Sequence, residues 1–271
     1  MLSSIACQAA DMPIVSIPKV NSAPSIDGQI DQDEWSNAAV TCGFHDIELG
    51  YPAVGKTIVS ACYDQSALYI LYRCYGEDLR KLSGSLAGRD TQVWCDSEVE
   101  TFIISPKWGN KYAHFMLNHA GAIADETYKG TGDLKWNPDW KYKTGKTDDM
   151  WYAEIAIPWN VMDVIPETGT VLRTNFARNA VNIGEYSSWS PIIRSLHKPK
   201  EFGKMILAGD SAVAAISDLP GREIADTVLH STILGNIQNT SCYITSEIVN
   251  DKGKKSTKSA AGTDLPIVID Y

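Results

Sequence analysis

Paired carboxylates are the first groups in this sequence that suggest chemistry. Glu98 and Glu100 are separated by a single residue, and glycoside cleavage uses two carboxyl groups placed on opposite sides of the bond to be broken. Along a strand, alternate residues share one face. The two carboxyl groups would then be closer to each other than to opposite sides of a substrate. The spacing therefore argues against a glycosidase pair.

Other catalytic patterns are missing from the sequence. None of the five histidines stands in a recognisable catalytic constellation. The chain contains no Gly-x-Ser-x-Gly, no His-Glu-x-x-His and no phosphate-binding glycine loop. We assign no catalytic residue and interpret the chain as non-catalytic by itself.

A tryptophan and a glutamate in the same region suggest binding instead. Trp94 follows a polar stretch and precedes Asp96, so its indole is either a platform for a sugar ring or a cover for the strand pair. Glu100 shares a strand face with Phe102 and Ile104, where an unpaired carboxylate would be costly. We expect Glu100 to have a partner, either a neighbouring cation or a bound ligand.

Short strands are the elements that must position these residues. Segments with a period of two, separated by Gly, Asp, Asn and Pro, predict an all-β fold, an antiparallel and jelly-roll-like β-sandwich. Single helical turns are expected at Asp31–Ala38 and after Pro158. The predicted strands are Ile58–Cys62, Leu68–Tyr75, Glu98–Ser105, Tyr112–Asn118, Trp151–Ile157, Val171–Val181 and Lys204–Leu207.

After Leu207 the residues become small and lose the strand pattern, which predicts a domain boundary near residue 212, before the turn signal at Asp218–Gly221. We divide the chain into a signal remnant or disordered tail (1–11), a β-sandwich (12–209) and a small or truncated β module (213–271). The last part contains predicted strands at Thr227–Leu234, Ser241–Asn250 and Leu265–Asp270, with a lysine-rich turn at Lys252–Lys258.

Composition excludes several partners. The chain has 271 residues, a net charge of −9 and an isoelectric point near 5.0, which argues against binding to nucleic acid. No stretch approaches the roughly 18 uninterrupted apolar residues of a membrane-spanning helix. The run Ser4–Cys7 resembles a lipoprotein cleavage box, which makes Cys7 a candidate lipid anchor.

The six cysteines are widely spread, with no Cys-x-x-Cys and no zinc-ligand spacing. Core thiols and disulfides both remain open. Cys62 and Cys74 flank a predicted hairpin whose turn at Asp64–Ser66 places Cys62 opposite the neighbourhood of Tyr69. We therefore predict no bridge between them.

Loop tryptophans and acidic stretches each have two interpretations. Trp108, Trp136 and Trp140 stand in polar loops, where they would either stack on a polysaccharide or plug the ends of the sandwich. The acidic stretches, at Asp27–Glu34, Asp90–Asp96 and Asp148–Asp149, offer the oxygen ligands that Ca²⁺ prefers. Solvated acidic turns are the alternative, and no stretch has EF-hand spacing.

Several segments, in order, resemble the family 9 carbohydrate-binding modules between Ile26 and Leu207. The matching segments are Ile26–Trp35 (an opening Ile-Asp-Gly with a later Trp), Ala61–Ile70, Trp94–Phe102, Glu154–Trp159, Asn175–Arg178, Ser188–Pro191 and Pro199–Gly203. The resemblance implies a β-sandwich in which a sugar end is held between two tryptophans while polar groups bind its hydroxyls. It also makes structural Ca²⁺ a candidate, with no cofactor required.

The resemblance carries over residue by residue, with departures. Trp94 matches the first clamp tryptophan and Glu100 matches a hydroxyl-binding glutamate. The second clamp tryptophan falls on Leu196, and a family arginine falls on Met116. A binding glutamine falls on Ala177, which leaves its neighbour Arg178 as a substitute donor. The predicted ligand-binding residues are Trp94, Glu100, Asn118 and Arg178.

The function that this resemblance implies is carbohydrate binding. We expect an extracytoplasmic bacterial protein, secreted, periplasmic or on the cell surface, that is a module of, or partner to, a polysaccharide-processing protein such as a glycoside hydrolase. Two alternatives stay open. Related sandwiches bind haem b, for which Met116, His114 and His119 are the candidate ligands. The lost clamp residues also allow a structural spacer domain without a ligand.

Overall fold

The computed structural model describes residues 12–31, 33–84 and 88–209, together with the strand backbones at 228–234, 242–249 and 255–262. Cys7 and the predicted strand at Leu265–Asp270 lie outside the described residues. The strands, numbered in chain order, are β1 (Ile14–Ile17), β2 (Ala39–Thr41), β3 (His45–Asp46), β4 (Thr57–Tyr63), β5 (Ala67–Tyr75), β6 (Glu98–Ile104), β7 (Tyr112–Asn118), β8 (Ile123–Tyr128), β9 (Gly132–Asp133), β10 (Lys141–Lys146), β11 (Met150–Pro158), β12 (Val171–Ala180), β13 (Glu185–Ser188), β14 (Gly203–Leu207), β15 (Val228–Leu234), β16 (Cys242–Val249) and β17 (Lys255–Gly262).

Two sheets make up the part of the chain before residue 210. The larger sheet runs in the order β1-β14-β12-β6-β7-β8-β9, and the short strands β13 and β3 extend from β12. The smaller sheet has the order β10-β11-β5-β4-β2. Apart from the parallel β1–β14 pair, the ladders within these sheets are antiparallel. The predicted all-β sandwich is confirmed.

The core lies between the sheets and takes its residues from their facing sides. Val59 and Tyr72 of the smaller sheet and Val99, Phe115 and Phe176 of the larger one belong to a single buried cluster. Burying apolar area at this interface drives folding, at roughly 25 cal/mol per Å². The alternation of each strand leaves its other residues on the outer face, where the larger sheet carries the candidate site.

Loops cover the outer face of each sheet. On the larger sheet, Ile47, Ile192 and Leu196 pack with Phe102 in a separate buried cluster. On the smaller sheet, Trp35 is buried in the corresponding cluster. The predicted helical turn at Asp31–Ala38 is a set of hydrogen-bonded turns rather than a helix, whereas a short 3₁₀ helix does follow Pro158.

The seven predicted strands of the sandwich are all present, with ends that shift by at most one residue. The β4–β5 register places Cys62 opposite Tyr69 and Cys74 opposite Thr57, so the two thiols do not face each other. Both are free, and burial raises the pKa of each to about 12.

The three C-terminal strands pair in the order β15-β16-β17, both ladders antiparallel. Strands β15 and β16 fall where the sequence predicts strands. The part of the predicted lysine-rich turn from Lys255 to Lys258 belongs to strand β17 instead.

The loop tryptophans pack against the sandwich. Trp140 is buried, and Trp108 and Trp136 are partly buried against the main core. Trp136 and Trp140 both contact the ring of Phe115, with centroids 5.6 and 5.3 Å apart. This arrangement favours plugs at the end of the sandwich over stacking platforms. No helix in the described ranges has the length and apolar character needed to cross a membrane.

Candidate carbohydrate-binding site

Strand β6 divides its side chains between the two faces of the larger sheet. Val99 and Ile103 join the core between the sheets, whereas Phe102 and Ile104 join the outer cluster. Glu100 shares the parity of Phe102, so its carboxylate points to the outer face. Glu100 is 2% exposed. The predicted sharing of an apolar face by an acidic residue is confirmed.

A pocket of about 290 Å³ lies over Glu100. Its buried lining residues are Glu100, Ile47 and Leu196, and its exposed ones are Glu48, Arg194 and His197, with Ser195 and Tyr186 between them. Strand β6 supplies the floor, while the walls come from the loop after β3, strand β13 and the segment between β13 and β14. The floor is thus set by a sheet and the walls by segments distant in sequence.

Glu100 is held by a histidine that is itself held by a second glutamate. His114 on β7 forms a short hydrogen bond through Nε2 to Oε2 of Glu100. Its Nδ1 lies 2.9 Å from Oε1 of Glu126, the residue opposite it on β8. The imidazole also stacks on Phe102, with ring centroids 4.0 Å apart. The expectation that Glu100 has a partner is confirmed, and the partner is His114.

The other oxygen of Glu100 has no such partner. Its Oε1 is buried and accepts no hydrogen bond from an N–H or hydroxyl group of the described residues, and the buried carboxyl group of Glu98 is a polar neighbour of Glu100. A buried acceptor left without a donor costs about 1–3 kcal/mol. The pocket therefore contains a carboxylate oxygen that a ligand hydroxyl would satisfy.

Charges near the floor are tuned by burial and by one another. Burial alone would lower the pKa of His114, but Glu100 and Glu126 more than offset this, so its pKa is raised. Burial, and then the charge of Glu100, raises the pKa of Glu98 well above its ordinary value. Burial, and then His114, lowers the pKa of His197. The proton of His114 is therefore held more tightly than that of a free imidazole, and the proton of Glu98 more tightly than that of a free carboxyl group.

Trp94 is not among the residues that line this pocket. It occupies a 3₁₀ turn at Val93–Cys95, and Val93 packs on Met116 on the outer face. The backbone oxygen of Trp94 accepts a hydrogen bond of 2.9 Å from Nδ2 of Asn179. The indole is 40% exposed, so its ring is accessible to solvent.

Asn118 lies on the same sheet face but is occupied by structural contacts. It is fully buried, and its Nδ2 donates to Oδ2 of Asp96 at 2.8 Å. Its Oδ1 accepts the backbone N–H groups of Ala120 and Ala122, at 3.0 and 2.8 Å. These bonds shape the turn after β7 and tie it to the start of β6. A role as a hydroxyl partner would require breaking them.

Arg178 is placed on the opposite face of the sheet from Glu100. It is fully buried between the sheets, where its Nη2 pairs with Oε2 of Glu77 at 2.9 Å. Its Nη1 donates to the backbone oxygen of Lys56 and to Oγ1 of Thr57. The expectation that Arg178 substitutes for the missing glutamine is corrected: Ala177 points to the outer face, so its neighbour must point inward.

The positions that depart from the resemblance are filled by apolar side chains. Leu196 is 4% exposed and forms part of the pocket lining, and Met116 packs with Val93, Ala122 and Ala124. Neither supplies an aromatic face or a charged donor. The outer face thus combines a polar floor with a partly apolar wall.

The candidate ligands for haem and for metal ions have other contacts in the structure. Both ring nitrogens of His114 are engaged by Glu100 and Glu126, and Met116 lies in a small apolar cluster, so neither residue is free to ligate a haem. Within the described ranges, no group of three or more His, Cys, Asp or Glu side chains is arranged to hold a metal ion. Asp27 and Asp31 instead each accept a backbone N–H two residues ahead, as acidic turns do. Structural Ca²⁺ stays a prediction.

Comparison with solved structures identifies the fold. A candidate carbohydrate-binding protein from Bacteroides uniformis superposes with a TM-score of 0.60 and 18% identity, over 72% of this chain and 98% of that one. A family 9 carbohydrate-binding module from Caldicellulosiruptor kristjanssonii, solved with cellotriose, gives 0.54 and 20% over 77% and 100%. The sandwich has the family 9 fold. A further family 9 module from this organism, solved with glucose, gives 0.52 and 18% over 73% and 96%.

Comparison of sequences finds no match for this chain, although comparison of structures does. No family model matches the chain. No curated protein matches it either. The family 9 fold is therefore recognised through its backbone and through scattered motif residues such as Ile26, Asp27, Gly28 and Trp35.

Sequence reasoning identified Glu100 but missed the groups around it. His114 and Glu126 could have been found from alternation, because each would share a face with Glu100 once β6, β7 and β8 were paired in register. Arg194 and His197 carried no such signal. Their segment is a loop within the family 9 fold, and its position depends on packing against the finished sheet.

Proposed function

We propose that this chain is a non-catalytic carbohydrate-binding module that takes an uncharged sugar into the pocket over Glu100. The observation that carries the proposal is the Oε1 atom of Glu100, which is buried and receives no hydrogen bond from an N–H or hydroxyl group of the described residues. A sugar hydroxyl is a donor of suitable size and would remove the cost of that unsatisfied acceptor.

The size of the pocket supports a small ligand portion. A volume of about 290 Å³ is at the lower end of the range of roughly 300–1,000 Å³ for small-molecule sites. It suits one end of a glycan better than a long internal stretch. The exposed indole of Trp94 supplies an aromatic face outside the pocket on which a further ring would stack.

Charge supports an uncharged ligand. The floor contains Glu100 and, one step behind it, Glu126, while Glu48 lies at the mouth. Arg194 is an opposing cation at the mouth, and the raised pKa of His114 favours a second one behind the floor. A sugar acid would bring a further negative charge to a buried carboxylate, which is unfavourable in a poorly solvated site.

The ligands in solved structures of the same fold support the assignment of an uncharged sugar. The two family 9 structures contain cellotriose and glucose, both uncharged. We extend the proposal to context: the chain acts outside the cytoplasm, attached to or working beside a polysaccharide-processing enzyme. Detection of the native protein in the cell-surface or secreted fraction would support that context, and a purely cytoplasmic distribution would contradict it.

The test is binding of a glycan panel by two pocket variants. Calorimetry with cellotriose, xylotriose, mannotriose and chitotriose should detect an interaction for the native chain. Glu100→Gln should weaken it at least tenfold, about 1.4 kcal/mol, because an amide presents one acceptor fewer. Trp94→Ala should weaken it about three- to tenfold through lost stacking.

A matched control separates the pocket from the surface in general. Glu167 is exposed, with no side-chain partner among the described residues, and Glu167→Gln should bind like the native chain. No binding to any panel member would contradict the proposal and favour a structural spacer. Unchanged affinity of Glu100→Gln would contradict the assignment of Glu100.

A further inference from the structure

The mouth of the pocket is built by two loop segments that are hydrogen-bonded to each other. The backbone N–H of Arg194 donates to the carbonyl of Ile47 at 2.7 Å. Lys198 donates through Nζ to the carbonyl of Ile193 at 2.8 Å, which braces the second segment. Both segments contribute to the pocket lining. The position of Arg194 is therefore set by its surroundings.

Arg194 has a backbone conformation that its residue type does not favour. Its φ is 68°, in the left-handed region, which in the described part of the chain Asp90 and Asp163 alone share among non-glycine residues. Asn, Asp and Gly tolerate that region better than a long side chain does. Glycine would serve the turn at lower cost. The turn itself therefore does not account for an arginine at position 194.

The guanidinium group of Arg194 has no partner that would explain it. The residue is exposed and lines the pocket, and its side chain makes no hydrogen bond or ion pair with any described residue. Arg178, the arginine that the sequence predicts to bind ligand, is by contrast fully buried and paired with Glu77. Arg194 is thus a free donor at the mouth of a pocket whose floor contains a free acceptor.

We infer that Arg194 binds the ligand directly, as the donor that complements the acceptor oxygen of Glu100. This inference rests on the proposed function and extends it by one residue. The hydroxyl groups of a sugar both donate and accept, and its ring oxygen accepts, so one ring satisfies both groups. The charge-assisted bonds of a guanidinium are stronger than neutral ones. The strained backbone is retained because a glycine would lose them.

The test uses two variants that relieve the same backbone strain at different places. Arg194→Gly and Asp163→Gly each put glycine at a left-handed residue, so both should raise the melting temperature or leave it unchanged. Calorimetry with the four oligosaccharides above should show at least a tenfold loss of affinity for Arg194→Gly. Asp163→Gly, in the turn after the 3₁₀ helix at Trp159–Met162, should bind like the native chain.

A second variant separates charge from geometry. Arg194→Lys keeps the positive charge but loses the planar fork, and it should retain part of the affinity, with a loss smaller than that of Arg194→Gly. If Glu100→Gln loses binding and Arg194→Gly does not, this inference is wrong while the proposed function stands. If the native chain binds none of the four oligosaccharides, both fail together.

Discussion

At the scale of single residues, the hydrogen-bonded line Glu126–His114–Glu100 is the most specific feature of the site. His114 satisfies both carboxylates at once when both of its ring nitrogens carry protons. Holding Oε2 of Glu100 in this way leaves Oε1 as the oxygen available to a ligand. The imidazole is therefore a positioning residue for the pocket floor rather than a ligand contact.

The hydrogen bonds of His114 to Glu100 and Glu126 predict that the stability of the chain depends on pH. The ordinary pKa of 6.5 for His114 is raised in the folded chain. The stabilisation from its proton is therefore fully present below pH 6.5 and is lost as the pH rises through the raised value. We expect the melting temperature to fall above pH 6.5, and His114→Gln to flatten that fall while costing about 1–3 kcal/mol.

The control for this prediction is the neighbouring carboxyl group. The pKa of Glu98 is also raised, so it adds a second loss of stability with rising pH, starting from a lower value. Thermal melts of Glu98→Gln should still show the fall that begins at pH 6.5. An unchanged slope in His114→Gln would show that His114 is not its source.

At the scale of elements, period-two alternation predicted most of the sandwich because it reports a local property, namely which residues face an apolar layer. It also held the information that corrects Arg178. Adjacent residues of one strand point to opposite faces, so Ala177 and Arg178 were never interchangeable. The pocket walls at Ile47 and Leu196 were not predictable in this way, because their position follows from tertiary packing.

Strand β14 shows how closely elements approach each other beside the site. A Cβ at Gly203 would lie 2.6 Å from the backbone oxygen of Pro13 and 2.7 Å from the ring of Trp189. Gly203→Ala should therefore destabilise the chain by about 1–3 kcal/mol through overpacking. Gly209→Ala, where the nearest atoms are 3.7 Å away, is the control and should leave the denaturation midpoint within experimental error. Equal midpoints for the two variants would refute this close packing.

At the scale of the whole molecule, the sandwich contains a complete core. Both sheets and the main buried cluster lie between residues 12 and 209, and a core of this size is sufficient for independent folding. We predict that a fragment of residues 12–209 unfolds cooperatively and binds oligosaccharides with the affinity of the full chain. Chemical denaturation followed by fluorescence, together with calorimetry, tests this. A molten fragment, or one with weaker binding, would contradict the predicted boundary near residue 212.

The sequence was less informative at this largest scale. Charge and composition argued against nucleic acid and a membrane-spanning helix, but the C-terminal strands show that a local signal can be wrong. The lysines of Lys252–Lys258 suggested a turn because lysine is depleted in strands. Pairing with β16 overrides that preference at β17. Such pairing is a non-local contact that composition does not encode.

The division of the pocket between a strand-borne floor and loop-borne walls has an evolutionary consequence. Substitutions in the segments around Ile47 and Arg194 would change the shape and polarity of the mouth without disturbing the ladder that holds Glu100. Loops tolerate such exchange far better than paired strands. Ligand preference would thus drift quickly among descendants of this scaffold, while the anchoring carboxylate stayed where β6 puts it.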